Sequence, residues 1–184
     1  MSLIVIISLV VVVALVIVGL LMYNGLVRAR LSVREAWSAV QVQLQRRASL
    51  IPNLVETVKG YAEHERGTLE SVTQARAALQ QAGTPAQAAE ANNVLTGALR
   101  SLFAVAEAYP DLKANQNFHS LQADLSDTEN KISYARTYYN ANVREYNEKV
   151  QTVPTALLAG MFGFHAEQFF EAGEEAQQDV QVTF

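Results

Sequence analysis

The sequence predicts an all-α fold: an N-terminal transmembrane helix that continues into an elongated antiparallel helical bundle of three long helices plus short C-terminal helices. Three observations predict it. An uncharged apolar run extends from Leu3 to Met22. Apolar residues recur at helical steps of three and four along most of the remaining chain. Prolines and glycines are few, with four and nine in 184 residues, and this composition favours helix over sheet.

The apolar run has the length of a membrane span. Its twenty residues, at about 1.5 Å each, reach roughly 30 Å, the thickness of the hydrocarbon core of a bilayer. A backbone in lipid must satisfy its own hydrogen bonds, which predicts a helix. A cleaved signal peptide is the alternative, but the run lacks a basic region before it and a small-residue cleavage pattern after it. We therefore expect residues 1–25 to anchor the chain in the lipid bilayer, with Tyr23 at the interface.

The charges that flank the span predict its orientation. Met1 and Ser2 precede it, whereas one acid, Glu35, and five arginines follow it before residue 51: Arg28, Arg30, Arg34, Arg46 and Arg47. The positive-inside rule places this basic flank in the cytoplasm. We expect a short N-terminus outside and a cytoplasmic helical domain, with a periplasmic domain as the alternative.

The helices that follow the span are predicted from periodicity and helix-breaking residues. Val33, Trp37, Val40 and Leu44 form a heptad-like stripe that leaves the membrane without a hinge. Trp37 is expected to pack in the core. Pro52 should kink this helix, and a stripe that resumes at Val55 predicts a kinked continuation to about Gln81.

Two more long helices are predicted after Gly83. Thr84 is predicted to be the N-cap of the second helix, with Pro85 at its first position, and this helix should end near Ala108. The third runs from about Asn115 to Val150, and its seam contains Phe118, Leu121, Leu125, Thr128, Ile132, Ala135, Tyr139, Val143, Tyr146 and Val150. We interpret Thr128, the one polar residue of that seam, as setting register.

The C-terminal part of the chain is read in three pieces. Residues 155–164 are almost wholly apolar but too short to span; they either cap the end of the bundle or dip into the membrane interface or a neighbouring subunit. Residues 166–172 are expected to add one or two helical turns. The bundle domain is thus placed at 26–172, followed by an acidic tail at 173–184 in which residues 180–184 alternate as a strand or docking peptide would.

No catalytic or metal site is predicted. The chain has no cysteine, and none of His64, His119 and His165 occurs in a metal-binding pattern for a helix. No glycine-rich phosphate loop or nucleophile elbow is present, so we expect no enzyme activity, no cofactor and no small-molecule substrate. A net charge of −4 argues against nucleic-acid binding.

The candidate functional residues are therefore packing and interaction residues. Tyr139-Asn140 and Tyr146-Asn147 repeat a Tyr-Asn pair one heptad apart, and their side chains are suited to hydrogen bonds between helices. With the aromatic and apolar residues noted above, the candidates are Trp37, Pro52, Tyr139, Asn140, Tyr146, Asn147, Met161, Phe162, Phe164 and Phe184.

Several long strings of the sequence resemble the LemA family of bacterial membrane proteins. They are Tyr23-Asn24 after the span, residues 46–61 (RRASLIPNLVETVKGY), His64-Glu65, residues 104–115 (AVAEAYPDLKAN), residues 127–132 (DTENKI), residues 134–136 (YAR), Tyr139-Asn140, Tyr146-Asn147, residues 162–164 (FGF) and the closing residues 182–184 (VTF). The resemblance implies a single-span protein of the bacterial plasma (inner) membrane with a short external N-terminus and an elongated helical bundle. It supplies no catalytic residue.

Two functions are consistent with this resemblance and with the helical stripes. The first is a membrane-anchored scaffold that forms homo-oligomers and organises or shapes the inner membrane, since a relative acts in magnetosome membrane formation. The second is an adaptor in envelope stress or membrane protein quality control, because family members often occur beside an HtpX-type membrane metalloprotease. In that case the bundle or the acidic tail would contact the protease.

Overall fold

The computed structural model describes residues 3–171 of the chain, and the acidic tail and Phe184 lie outside these residues. Six helices follow one another: α1 (Leu3–Lys59), α2 (Arg66–Gln81), α3 (Pro85–Ala106), α4 (Pro110–Lys113), α5 (Gln116–Gln151) and α6 (Thr155–Phe162). No strand occurs among the described residues. The all-α prediction is confirmed, as is a long apolar N-terminal helix.

The chain forms two compact units that share α1 and α5. Of the described residues, the first unit contains 3–36 and 138–168, and the second contains 37–137 and 169–171. The apolar start of α1 belongs to the first unit. Large side chains from Leu3 to Leu21 are between 44% and 74% exposed, so this stretch is not the core helix of a soluble domain. It is long and apolar enough to cross a membrane.

Helix α1 passes through Pro52 and ends at Lys59, so the predicted continuation to Gln81 is wrong. Residues 60–65 form a break, and α2 then folds back along α1. The guanidinium Nε of Arg76 donates a hydrogen bond of 2.9 Å to the carbonyl of Ala48. In one straight helix these residues would be about 42 Å apart. The break begins at Gly60, where the low helix propensity of glycine reduces the free-energy cost of ending the helix. The break allows α2 to bury Leu69, Val72 and Leu79.

The turn between α2 and α3 agrees with the sequence prediction. Thr84 is the N-cap of α3, and its Oγ1 accepts a hydrogen bond of 3.3 Å from the amide of Gln87. Pro85 occupies the first helical position, where its missing amide hydrogen is not needed. Helix α3 ends at Ala106, and the one-turn helix α4 leads into α5.

Helices α1 and α5 run antiparallel within the second unit. Arg47 pairs with Glu129, whereas Thr57, ten residues further along α1, lines a cleft with Leu121, earlier on α5. The predicted α5 seam is buried at Phe118, Leu125, Thr128, Ile132, Tyr139, Val143 and Tyr146. Thr128 donates its hydroxyl hydrogen to the carbonyl of Asp124 at 2.7 Å, which removes the cost of burying that group.

Helix α6 ends at Gly163, which adopts the left-handed conformation with φ of 70°. Glycine suits this helix-terminating position because it has no Cβ. The chain from there to residue 171 contains no helix, so the predicted turns at 166–172 are wrong for the residues described. The physical reason is that the backbone of this segment bonds to side chains of α5, as described below.

Candidate functional site

Two α5 side chains of the first unit hold the segment that follows α6. Asn147 forms two hydrogen bonds with the backbone of Glu167: its Nδ2 donates to the carbonyl at 2.9 Å, and its Oδ1 accepts from the amide at 2.8 Å. About two turns earlier, the Tyr139 hydroxyl donates to the carbonyl of Gln168 at 2.7 Å. These bonds replace the internal bonds of a helix. One residue of each Tyr-Asn pair, Tyr139 and Asn147, thus bonds to the extended segment.

Burial keeps the hydroxyls of Tyr139 and Tyr146 protonated. Desolvation, with a smaller contribution from the nearby charge of Glu167, raises the pKa of Tyr139 to about 12. Burial also raises the pKa of Tyr146, although the charges of Arg30 and Arg34 act in the opposite direction. Tyr139 is therefore a hydrogen-bond donor at any physiological pH, as its bond to Gln168 requires.

An aromatic cluster lies at the end of the apolar run of α1. The Tyr23 ring is 5.0 Å from the ring centroid of Phe162 and 5.8 Å from that of Phe164, both in edge-to-face arrangements. The Arg30 guanidinium lies 5.9 Å from the centre of the Phe164 ring, within the range of a cation–π contact. Arg30 also approaches Glu167 at 3.9 Å. The cluster connects α1 directly to the chain at the end of α6.

The structure distributes the predicted interaction residues over both units. Tyr139, Tyr146, Asn147 and Phe164 come together in the first unit, where Asn140 is half-buried. Met161 and Phe162, in contrast, are 77% and 57% exposed. In the second unit, the half-buried Trp37 ring contacts Phe170 at 6.1 Å between ring centroids, and Pro52 lies within α1.

A buried cation in the second unit was not among the predicted residues. Arg47 is only 3% exposed. Its Nη1 donates to Oδ1 of the buried Asn92 at 2.5 Å and lies 2.6 Å from Oε2 of Glu129. Burial lowers the pKa of Arg47, and the charge of Glu129 partly offsets this effect. The sequence did contain a signal, because Arg47 lies three residues after Leu44, at the next position of the α1 stripe.

Arg47 lines a cleft of about 680 Å³ between α3 and α5. Leu99, Phe103 and Leu125 provide its apolar wall, and Arg100 and His119 lie at its polar side. The Arg47 Nε has no hydrogen-bond partner among the residues described. Within that same part of the chain, no group of three or more His, Cys, Asp or Glu side chains is placed to hold a metal ion.

Comparison with known proteins relates the chain to one family. The model of the LemA family matches residues 36–184, which is most of the chain. The chain belongs to the LemA family. This LemA-family chain is 26% identical over 162 residues to Protein LemA of Metamycoplasma hominis, in a match that covers 86% of the chain and 73% of that protein. The predicted family is confirmed.

Two further relatives carry the name of a magnetosome protein. The LemA-family chain is 25% identical over 160 residues to Magnetosome protein MamQ 2 of Paramagnetospirillum magneticum, and 24% identical over 159 residues to Magnetosome protein MamQ of Magnetospirillum gryphiswaldense. These matches cover 73% and 72% of the chain but only 59% and 58% of the two relatives. None of these names denotes an enzyme. Together with the apolar span, they fit a membrane-associated protein.

Proposed function

We propose that this protein is a membrane-anchored helical scaffold that self-associates and organises or shapes the bacterial inner membrane. The observation that carries the proposal is an exposed surface on α1 and α5 of the second unit, here called the Val42–Tyr134 surface. Val42 is 59% exposed and Tyr134 is 79% exposed. Large apolar and aromatic side chains this exposed are candidates for contact with another protein surface.

Helix geometry places the two residues of this surface on one face. An ion pair between Arg46 and Asp127, with 3.7 Å between Nη2 and Oδ2, crosses from α1 to α5. Val42 lies one turn before Arg46, and Tyr134 lies two turns after Asp127. Because α1 and α5 are antiparallel, both steps lead in the same direction along the pair. Val42 and Tyr134 therefore both lie on the same side of that ion pair.

The charges around this surface suit a second copy of the same chain. Lys131 pairs with Asp127 at 2.7 Å, so the surface contains two cations and one anion beside its apolar residues. A two-fold arrangement brings a surface against itself. The cations of one copy can then face the anion of the other, while the tyrosines bury each other's rings. The magnetosome names of the MamQ relatives support a role at a membrane.

Removal of the exposed side chains tests the self-association. A Val42→Ser and Tyr134→Ser double variant should weaken assembly, because an interface tyrosine contributes about 2 kcal/mol or more, which is roughly 30-fold in the dissociation constant. The measurement is particle mass against concentration for the full chain in detergent and in nanodiscs. Val94→Ser is the matched control, since Val94 is a 56% exposed valine on a different helix, α3.

Two results would contradict the proposal. One is a wild-type protein that remains a monomer at every concentration in lipid. The other is a double variant that assembles as well as the Val94→Ser control. A monomer that crosslinks instead to a membrane protease would favour the adaptor function. Electron microscopy of vesicles that contain the wild-type and the double variant then tests whether assembly changes membrane shape.

A further inference from the structure

Helix α6 of the first unit has an apolar face that the described part of the chain leaves uncovered. Leu157 and Met161 lie one helical turn apart on α6 and are 68% and 77% exposed, and the neighbouring Phe162 is 57% exposed. Val153, which precedes the helix, is 76% exposed. Ala159 and Phe164 are buried, so α6 packs through one side only. No charged residue occurs from Val150 to Phe164. An eight-residue helix of this kind is much too short to cross a bilayer.

The contacts of the first unit place α6 at the end of the apolar span. Phe162 lies 5.0 Å from Tyr23 between ring centroids, and Tyr23 directly follows the apolar run. The rest of the unit agrees with this position. Asn147 binds the backbone of Glu167, whose carboxylate approaches Arg30, so Asn147 lies close to the level of Arg30. Four residues separate Asn147 from the end of α5 at Gln151. They carry the chain about 6 Å further from the level of Arg30 towards that of Tyr23.

Burial along α1 marks the same boundary. The large side chains up to Leu21 are exposed, whereas Leu26 is fully buried. The packed part of the unit thus begins about one turn after the apolar run. An aromatic residue at that boundary, here Tyr23, is typical of the membrane interface. Helix α6 lies beside this residue.

We infer that α6 is a second membrane contact, embedded in the interface of the same bilayer that the span crosses. Leu157 and Met161 face the acyl chains. Lipid is the occupant that the geometry favours, because the exposed apolar face adjoins the span and lacks any charge that would oppose insertion. Arg28, which is exposed on the α1 turns that follow the span, is placed to meet lipid phosphates. This inference rests on the membrane anchoring of the proposed function and is independent of its self-association.

Single cysteines measure the surroundings of α6 directly, because the chain has none of its own. Leu157→Cys and Met161→Cys are introduced separately into the full chain, labelled with a fluorophore and reconstituted into phosphatidylcholine and phosphatidylglycerol vesicles. Tyr138→Cys is the matched control, since Tyr138 is a 59% exposed residue of the same unit on α5. Leu15→Cys reports on the span itself.

The expected result is that brominated lipids quench the labels at positions 157 and 161 several-fold more than the label at 138. Aqueous iodide should show the opposite order. Iodide quenching at 157 and 161 equal to that at 138 would overturn the inference. Protection from both quenchers would overturn it as well, because the face would then be covered by protein. Lipid quenching at position 15 distinguishes these outcomes from a failure of membrane anchoring.

Discussion

At the scale of single residues, Arg47 is the side chain whose environment differs most from what its type suggests. The guanidinium of an arginine that is buried in this way must replace its hydration with protein partners. Asn92 is itself buried, whereas the side chain of Glu129 is 44% exposed. Water therefore partly screens the ion pair with Glu129. Of the two contacts, the hydrogen bond to Asn92 is the one whose loss should cost more free energy when Arg47 is replaced.

Replacement of Arg47 by methionine should destabilise the second unit by roughly 1–3 kcal/mol. Methionine retains much of the packing, but Oδ1 of Asn92 is then buried without its donor, which costs about that amount. The measurement is urea unfolding of the full chain in detergent, followed by circular dichroism. Arg46→Met is the matched control, because the neighbouring ion pair of Arg46 with Asp127 is exposed on both sides and should contribute less than about 1 kcal/mol. Equal effects of the two substitutions would show that burial of Arg47 is unimportant.

The same residue shows what sequence alone could predict of the candidate sites. The α1 stripe includes position 47, yet a double arginine is ordinarily read as an exposed pair. Its burial depends on Asn92, which lies 45 positions away on another helix. No local periodicity in the sequence indicates a partner that distant. Tyr139 and Asn147 were identified as interaction residues, but their partner was not, because backbone carbonyls and amides carry no sequence signature.

At the scale of elements, long periodic helices were predictable and their interruptions were not. Ten seam positions of α5 repeat at helical steps, so its bounds at Gln116 and Gln151 lie within a residue of the prediction. The break after Lys59 is different. The stripe of α2 continues that of α1 almost in phase, and only tertiary contacts such as the bond between Arg76 and Ala48 require the chain to turn back. The extended segment after α6 is likewise determined by its partners on α5.

Asn147 is expected to hold that extended segment to α5. In an Asn147→Ala variant both hydrogen bonds to the backbone of Glu167 are lost, at about 1 kcal/mol each. Hydrogen exchange of peptides that cover residues 163–171 should then be faster by about 30-fold where exchange proceeds by local opening. Asn142→Ala is the control on the same helix, because Asn142 bonds only within α5, to the carbonyl of Tyr138. Unchanged exchange in the Asn147 variant would mean that other contacts hold the segment.

At the scale of the whole molecule, the distribution of charge along the chain has to match the two sides of a membrane. The three arginines nearest the span, Arg28, Arg30 and Arg34, all follow it. Arg30 also contacts Phe164 and Glu167, whereas Arg28 is exposed on α1. Arg28 thus supports the proposed lipid contact of the first unit, and the three arginines together favour the proposed cytoplasmic location of the helical domain.

Sidedness can be tested by changing only the charges that the positive-inside rule counts. Ser2→Cys and Ser101→Cys are introduced separately into the starting chain, which is the chain without charge substitutions. An impermeant maleimide should label Ser2→Cys in intact spheroplasts and Ser101→Cys only after lysis. An Arg28→Glu and Arg34→Glu double variant should make a substantial fraction of Ser101→Cys reactive before lysis, because one arginine near the span is left to retain the domain. Arg136→Glu with Arg144→Glu makes the same change in net charge far along the chain and should leave orientation unaltered. If Ser101→Cys is labelled in intact spheroplasts of the starting chain, the domain is periplasmic, and the basic flank does not determine its side.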